Sequence, residues 1–126
     1  MTAKPEISSL PPEEIILRAE RALHHGGDTH EWSDVVDGLR DGRFQCFWND
    51  GGIIITEIYV YPKKRALHCF VVAGAMDAVL ALQPKLVDFA KKQNCSVMTA
   101  TGRIGWERVL PRQGWRKMHS VMALEV

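Results

Sequence analysis

Apolar spacing predicts an amphipathic helix near the start of the chain. Residues 11–14, Pro-Pro-Glu-Glu, suit a first helical turn because proline costs little there and acids complement the helix dipole. The apolar residues that follow recur at spacings of three and four, so they share one helix face. They are Ile15, Ile16, Ala19, Ala22 and Leu23. Glycines at 26 and 27 predict the end of this helix, and residues 1–10 are predicted to form a flexible tail.

A second helix is predicted directly afterwards. Asp28 and Glu31 have the spacing of a capping box, in which two side chains satisfy backbone N–H groups at a helix start. The next apolar positions predict a buried face made of Trp32, Val35, Val36 and Leu39. Gly42 is the predicted stop.

Strand-like alternation then replaces the helical spacing and predicts a meander of three strands. The first strand is marked by Phe44, Cys46 and Trp48. Asn-Asp-Gly-Gly at 49–52 is a strong hairpin turn, and residues 53–61 form the returning strand. Pro-Lys-Lys-Arg at 62–65 predicts a second turn, which leads into a third strand beginning at Ala66.

The second half of the chain alternates strand and helix. An apolar run at 67–73 predicts a buried strand, which leads through Gly74 into a helix. The apolar face of that helix is Val79, Leu82, Leu86, Phe89 and Ala90. Residues 95–101 predict another strand, a turn at 102–106 opens a short helix, and a last strand follows Gly114-Trp115.

This succession resembles the C-terminal half of the GNAT superfamily, the acyl-CoA N-acyltransferases. Its best anchors are Phe89-Ala90, Asn94-Cys95 and Gly114-Trp115. The resemblance implies a GNAT-like α/β (α+β) fold with the order ααβββαβαβ, a central mixed sheet flanked by helices, and a single domain over residues 11–126. In active relatives the fourth and fifth strands separate to admit the cofactor, and they correspond here to 67–73 and 95–101.

The phosphate loop of the family, Arg/Gln-x-x-Gly-x-Gly/Ala, presents backbone N–H groups to a pyrophosphate at a helix N-terminus. In the register of the anchors it corresponds to Gly74, Ala75, Met76, Asp77, Ala78 and Val79. Gly74 replaces the basic or amide side chain, while Asp77 and Val79 replace glycines. A carboxylate repels a polyanion, and a β-branched side chain prevents the close approach that glycine allows.

Other family positions are altered as well. The cofactor-contacting Asn corresponds to Arg103, and the Tyr that protonates the departing thiolate corresponds to Leu110, which cannot donate a proton. Pro84 falls inside the helix after the loop and predicts a kink or a restart there. The sequence therefore predicts a GNAT-like scaffold that has lost acyl transfer and binds no cofactor. The alternative is a diverged N-acetyltransferase that uses acetyl-CoA, with Glu57 as its general base. Glu57 lies in mid-strand, however, so it also suits a cross-strand pair with His68.

Charge is divided between the halves of the chain. Residues 1–62 carry 5 lysines and arginines against 11 acids, and residues 63–126 carry 11 against 4. Such asymmetry favours contact with copies of the chain or with a charged partner, and two solvated faces are the alternative. The net charge of +1 and the lack of a nucleic-acid motif argue against nucleic acid as a partner.

A set of arginines and tryptophans in the second half is typical of protein interfaces, or of a solvated helix whose tryptophans pack inward. It consists of Arg103, Trp106, Arg108, Arg112, Trp115 and Arg116. No apolar run is long enough for a membrane span, and the start of the chain has no apolar signal core. We therefore expect a soluble, cytoplasmic protein.

Cysteine and histidine offer two further kinds of chemistry. Cys46, Cys69 and Cys95 lie in strand-like apolar contexts, which predicts buried free thiols rather than a nucleophile or a zinc site. A loop gathers His24, His25 and His30 around Asp28, a mixture that suits a metal, although the first two also suit the last turn of a helix. On balance we expect no bound metal ion.

The Gly-Arg-x-Gly-Trp turn at 102–106 resembles small GNAT-like proteins encoded by bacteriophages, in which cofactor motifs are often degraded. That resemblance implies a scaffold reused for protein contacts in a virion or its assembly, with a location in the virion instead of the cytoplasm. Three hypotheses follow: a non-catalytic contact protein, a diverged N-acetyltransferase, and an acyl-CoA binder without turnover.

Overall fold

The computed structural model describes residues 10–102 and 105–126. Most of the predicted tail, and Arg103 of the predicted contact surface, lie outside the described residues. The elements follow in the order α1 (Glu13–His25), α2 (Trp32–Arg40), β1 (Phe44–Trp48), β2 (Gly52–Val60), β3 (Arg65–Gly74), α3 (Met76–Lys92), β4 (Val97–Ala100) and α4 (Trp106–Val109). A short 3-10 helix (Leu110–Gln113) follows directly.

The four strands form one mixed sheet in the order β1-β2-β3-β4. The first three are antiparallel neighbours, and β4 is parallel to β3. Alternate residues of β2 belong to two separate cores, because successive side chains of a strand point to opposite faces. Ile53 and Ile55 pack with α1 and α2, whereas Ile54 packs with α3. The predicted fold class, a mixed sheet flanked by helices, is confirmed.

The second helix packs against β1 at very close range. Val35 and Leu39 are buried, as their spacing predicts, while Trp32 and Val36 are half-buried. Gly38 is also buried, and a Cβ atom at this position would overlap the Phe44 ring. A glycine in mid-helix therefore allows the α2 backbone to approach the sheet.

The capping box of α2 lies three residues later than predicted. Glu31 and Asp34 form it, and the Asp34 carboxylate accepts the backbone N–H of Glu31 at 2.9 Å. Asp28 has a positive φ of 56°, so it belongs to the turn between the helices and cannot be an N-cap in extended conformation.

The predicted last strand is absent from the described residues. Residues 114–126 follow the 3-10 helix without regular secondary structure and lie along no neighbouring strand. Strand propensity alone does not form a strand, since the backbone groups need a partner to complete the ladder. The sequence supplies the alternating pattern, but no strand of residues 10–102 or 105–126 lies beside it.

Two smaller predictions need correction. The strand predicted at 95–101 is shortened to Val97–Ala100, because Asn94 has a positive φ of 59° and the Cys95 N–H donates to the Ala90 carbonyl at 2.9 Å, which ends α3. Of the two outcomes predicted at Pro84, a kink or a restart, the restart does not occur, since α3 runs as one helix from Met76 to Lys92. Among the described residues, no helix combines the length and apolar character needed to cross a bilayer.

Candidate functional site

The short strand β4 pairs along its whole length, but only with the first half of the parallel strand β3. The pairing runs from Ala66 opposite Val97 to Cys69 opposite Ala100, after which the Thr101 N–H donates to the Cys69 carbonyl at 3.1 Å. From there β3 continues to Gly74, while the chain after β4 turns away toward α4. The sheet is therefore open beside β3 beyond Cys69, at the carboxyl end of β4, and ligands of parallel sheets commonly bind at carboxyl ends of strands.

A β-bulge in β3 lies at the start of this opening. Thr56 is opposite Cys69 and Ile55 is opposite Val71, so Phe70 is an extra residue in β3. The bulge interrupts the alternation of side chains. As a result, Phe70 and Val71 both pack toward α1 and α2, although they are consecutive.

A row of polar side chains crosses the sheet on the α1/α2 face just before the opening. Glu57 of β2 is opposite His68 of β3, and His68 is opposite Thr99 of β4. His68 Nδ1 and Thr99 Oγ1 share a hydrogen bond of 2.8 Å. The His68 ring also stacks on Tyr59, with centroids 4.9 Å apart. The cross-strand neighbours Glu57 and His68 thus lie together as predicted, but the hydrogen-bond partner of His68 is Thr99.

A cavity of about 240 Å³ lies between this row and the α1–α2 connection. Its lining combines aromatic rings with a single carboxylate, that of Glu57. The lining residues are Ala22, Leu23, Gly26, Thr29, His30, Phe44, Glu57, Tyr59, Phe70 and Thr101. The His30, Phe44 and Phe70 rings contact one another, with centroids 4.9–5.9 Å apart. This arrangement can hold a small ligand that presents a positive charge to Glu57 and apolar surface to the rings.

Burial sets the protonation of two groups in this region. It lowers the pKa of His68, so the imidazole is neutral at pH 7. Burial also raises the pKa of Tyr59, and the negative charge of Glu57 and the neighbouring Tyr61 raise it further. The Tyr59 phenol is consequently protonated at pH 7 and can donate a hydrogen bond.

Acid should destabilise the protein partly through His68. Its folded-state pKa lies below 6.5, the ordinary value, so the unfolded chain takes up a proton at this residue first as the pH falls. The stability due to neutral His68 is complete above about pH 6.5 and is lost as the pH drops toward the folded-state pKa. We expect the urea midpoint to fall further between about pH 7.5 and pH 5 in the wild type than in His68→Gln. Equal falls would contradict this role of His68.

The predicted phosphate loop lies at the start of α3, and several of its amides already have acceptors. The Ala75 N–H donates to the Gly51 carbonyl at 2.9 Å, and the Val79 N–H donates to the Ala75 carbonyl at 3.0 Å. The Ala78 N–H donates to the Asp77 carboxylate at 2.9 Å. A negative charge of the chain itself thus lies at the predicted phosphate loop.

Two of the loop positions have structural roles of their own. Gly74 has a φ of 120°, and a Cβ atom there would overlap the Gly51 carbonyl oxygen. Val79 is buried in the core that α3 forms with the sheet. Any side chain with a Cβ atom therefore has no room at Gly74, and a glycine at 79 would leave a gap in the core.

Apolar side chains fill the α3 side of the strand opening. Leu110 and Trp115 lie there with Met98 and Ala100 around a space of only about 30 Å³. The Trp115 indole N–H donates to Gln83 Oε1 at 3.1 Å, which fixes this segment onto α3. Leu110 thus faces the opening with a side chain that cannot transfer a proton.

The predicted contact surface divides into charged and aromatic parts. Arg108, Arg112 and Arg116 are exposed. Trp106 and Trp115 are half-buried against the α3 core of their own chain. The arginines are available to a partner, whereas the tryptophans already have partners within the described residues.

The predicted chemistry of cysteine and histidine can now be placed. Burial raises the pKa of Cys46 and Cys69 to about 12, and it also raises the pKa of Cys95, so the reactive thiolate is disfavoured. His24 and Asp28 lie 3.6 Å apart on the surface, but His30 turns away and packs on Phe44 and Phe70. No group of three or more histidine, cysteine or acidic side chains comes together in the described part of the chain.

Sequence reasoning missed Thr99 and Thr101, which extend the polar row to β4 and the cavity rim. A signal was present, because these threonines alternate with Met98 and Ala100 in the predicted strand. His30 was considered only as a metal ligand, and its position in the cavity wall depends on the path of the α1–α2 connection.

Several solved structures share the architecture described above. An acetyltransferase from Trypanosoma brucei matches with a TM-score of 0.65 at 13% identity, over 92% of this chain and 96% of that one. An aminoglycoside acetyltransferase from an uncultured soil metagenomic sample matches with 0.66 at 12% identity, over 90% and 89%. A possible acetyltransferase from Clostridium difficile 630 matches with 0.66 at 10% identity, over 98% and 95%. The sequence matches no protein-family model and no curated protein.

Proposed function

We propose that this chain, which has the fold of the GNAT acyltransferases, does not transfer acyl groups from acetyl-CoA and acts through contacts with other proteins or with copies of itself. The observation that carries the proposal is the start of α3, where Asp77 accepts the Ala78 N–H. In the family this is the place where backbone amides bind the pyrophosphate of the cofactor. Here a carboxylate of the chain takes one of those amides.

The electrostatic balance at this helix start is unfavourable for an anion. The attraction of a helix N-terminus for a negative charge amounts to about 0.3–1 kcal/mol at an exposed site. Two like unit charges about 4 Å apart in water repel by about 1 kcal/mol, and a pyrophosphate carries more than one charge. The carboxylate of Asp77 therefore cancels the advantage that the helix would otherwise offer.

The chain also lacks one of the groups that catalyse acyl transfer in the family. Leu110 occupies the position of the family's acid and lines an apolar space of about 30 Å³, too small for a pantetheine chain without rearrangement of Trp115. We therefore expect no cofactor. A contact role is supported by the exposed Arg108, Arg112 and Arg116, and by the net charges of −6 and +7 on the two halves of the sequence.

We expect isothermal titration with acetyl-CoA to give no binding tighter than about 10 μM, near −7 kcal/mol. Asp77→Asn should improve binding more than Asp88→Asn, because both variants lose one negative charge but Asp88 lies near the other end of α3 and pairs with Lys92 at 2.9 Å. Equal effects of the two substitutions would remove the local repulsion argument. Micromolar or tighter binding by the wild type would contradict the proposal itself.

One observation favours a second candidate, the diverged N-acetyltransferase. Glu57 lies in a cavity whose rim includes Thr101, directly beside the opening between β3 and β4. A carboxylate there can accept a proton from an amine held against the rings. Release of free thiol from acetyl-CoA, lost in Glu57→Gln and retained in Asp50→Asn, would favour this candidate. Binding without thiol release would instead favour an acyl-CoA binder without turnover.

The suggested place in a phage virion or its assembly stays a prediction from the turn at 102–106, two residues of which lie outside the described part of the chain. Its test is a search for the chain among the proteins of purified particles. A place in the virion would be one form of the proposed contact role.

A further inference from the structure

The uneven charge of the sequence becomes a separation of charge across the sheet. Residues 28–43, which contain α2, carry five acids against two arginines, and residues 105–117, which contain α4, carry four cations against one acid. The helix α2 packs against β1, whereas the segment 105–117 lies beside β4. These are the two terminal strands of the sheet, and the helix and the segment also lie on its opposite faces. The two charged regions are therefore on opposite sides of the molecule.

The acidic surface is the exposed face of α2. It consists of Asp34, Asp37 and Asp41, whose spacings of three and four place them on one side of the helix, away from its buried residues. Asp34 and Asp41 each accept a nearby backbone N–H at 2.9 Å. Two of the three carboxylates are thus held in place and lose little freedom when a cation binds them.

The basic surface is the exposed side of the segment 105–117. It consists of Arg108, Arg112, Arg116 and Lys117. Lys117 pairs with Glu107, the one acid of the segment, at 3.5 Å, but the three arginines have no ion pair among the described residues. The segment itself is anchored, since the Trp115 indole N–H donates to Gln83 of α3. Guanidinium groups on this anchored segment match carboxylates in shape as well as in charge.

We infer that the basic surface of one copy binds the acidic surface of a second copy, so that copies of the chain associate head to tail. This inference rests on the contact role proposed above and names the partner. The charges favour a second copy as the occupant, because each copy presents three exposed carboxylates for three arginines that lack an ion pair.

The positions of the two surfaces determine the kind of assembly. A two-fold axis through either surface would bring it onto its own equivalent, which places arginines against arginines or carboxylates against carboxylates. One two-fold axis cannot join both unlike pairs either, because the surfaces lie on opposite sides of the molecule. A head-to-tail contact leaves one acidic and one basic surface free at the ends. We therefore expect an open assembly that grows with protein concentration.

The contact should be weak and sensitive to salt. Isolated exposed ion pairs contribute little, so binding needs several charges together with apolar surface. Such surface is present on both sides, since Trp32 of α2 is only half-buried and Met118, next to Lys117, is 55% exposed. The Debye length falls from about 30 Å at 0.01 M salt to about 8 Å at 0.15 M. Association should decline over this range.

The first test is the mass of the full chain in solution, measured by sedimentation equilibrium. At about 0.01 M salt, the weight-average mass should rise with protein concentration and exceed twice the chain mass of 14.2 kDa by about 200 μM. In about 0.5 M salt it should fall to the mass of one chain. A mass of one chain at low salt would overturn the inference, and so would a plateau at the mass of a dimer.

The second test reverses the charge of each surface separately. One variant carries Arg108→Glu, Arg112→Glu and Arg116→Glu, and the other carries Asp37→Lys and Asp41→Lys, with Asp34 kept because it belongs to the capping box of α2. Each substitution set should raise the dissociation constant between copies at least about tenfold. An equal mixture of the two variants should associate again, because every contact between unlike variants joins opposite charges.

A matched control separates the basic surface from the net charge. Lys63→Glu, Lys64→Glu and Lys91→Glu change the net charge as much as the three arginine substitutions do, but at exposed positions in the β2–β3 turn and at the end of α3. This control should stay more associated than the arginine variant, and circular dichroism should be the same for all variants. Equal losses, or a mixture that stays monomeric, would overturn the inference. A monomeric wild type would still leave contact with other proteins open, and the acetyl-CoA titration does not depend on either result.

Discussion

Gly74→Ala should destabilise the protein by about 3 kcal/mol or more, or prevent folding. The φ of 120° at Gly74 is unfavourable for any residue with a Cβ atom, and that atom would overlap the Gly51 carbonyl oxygen. The carbonyl cannot move without loss, since it accepts hydrogen bonds from the Ala75 N–H at 2.9 Å and from Arg18 at 2.8 Å. Urea unfolding followed by circular dichroism measures the effect.

Gly105→Ala is the matched control. Gly105 has an ordinary φ of −55°, and a Cβ atom there would meet no neighbour within 4 Å. The stability of this variant should stay within about 0.5 kcal/mol of the wild type. Equal effects of the two substitutions would contradict the close contact between the β1–β2 hairpin and the start of α3.

The same reasoning limits any attempt to rebuild the phosphate loop. An arginine at Gly74 meets the obstacle that alanine meets, and Val79→Gly removes a buried side chain from the α3 core. Only Asp77 can be changed without disturbing the packing, because its side chain is exposed. Two of the three positions are therefore fixed by this chain's own structure, Gly74 by the adjoining hairpin and Val79 by the α3 core.

Leu39→Ala should cost about 2–5 kcal/mol, the range for truncation of a buried leucine. Leu39 is 2% exposed and belongs to the core in which α1 and α2 cover the sheet. The spread within the range depends on how far the neighbours relax into the cavity. Gly38 of α2 lies directly against the Phe44 ring, so the helix has little freedom to move into the cavity. We therefore expect a loss in the upper half of the range.

Leu17→Ala provides the comparison. Leu17 is 47% exposed on α1, outside the predicted stripe, so its truncation should cost less than about 1 kcal/mol. Similar losses for the two leucines would contradict the assignment of the buried face. The same urea measurement serves both variants.

The local patterns of the sequence determined most of the secondary structure and the fold class. Spacings of three and four identified the buried residues Ile15, Ala19 and Leu23 of α1, because only one face of a surface helix contacts the core. The Asn-Asp-Gly-Gly turn identified the β1–β2 hairpin, since these residues adopt the required backbone conformations at little cost. The order of elements then led to the GNAT-like mixed sheet.

The candidate site was predictable only in part. Glu57 was selected from its place in a strand, and the cavity contains it. The bulge at Phe70 was not predictable, because residues 67–73 are almost continuously apolar. No change in polarity therefore shows where the side chains switch from one face of the sheet to the other. Thr99 joins the polar row through the register of β3 with β4, and register depends on contacts between residues far apart in the chain.

What the sequence by itself determined is therefore local: which residues favour helix, strand or turn. Tertiary structure decided where these segments find partners. It opened the sheet beside β3 beyond Cys69, closed the α3 side with Leu110 and Trp115, and left residues 118–126 with no strand of the described chain beside them. The physical reason is that a strand is completed only by hydrogen bonds to another strand, so its formation depends on an edge that the segment's own residues cannot specify.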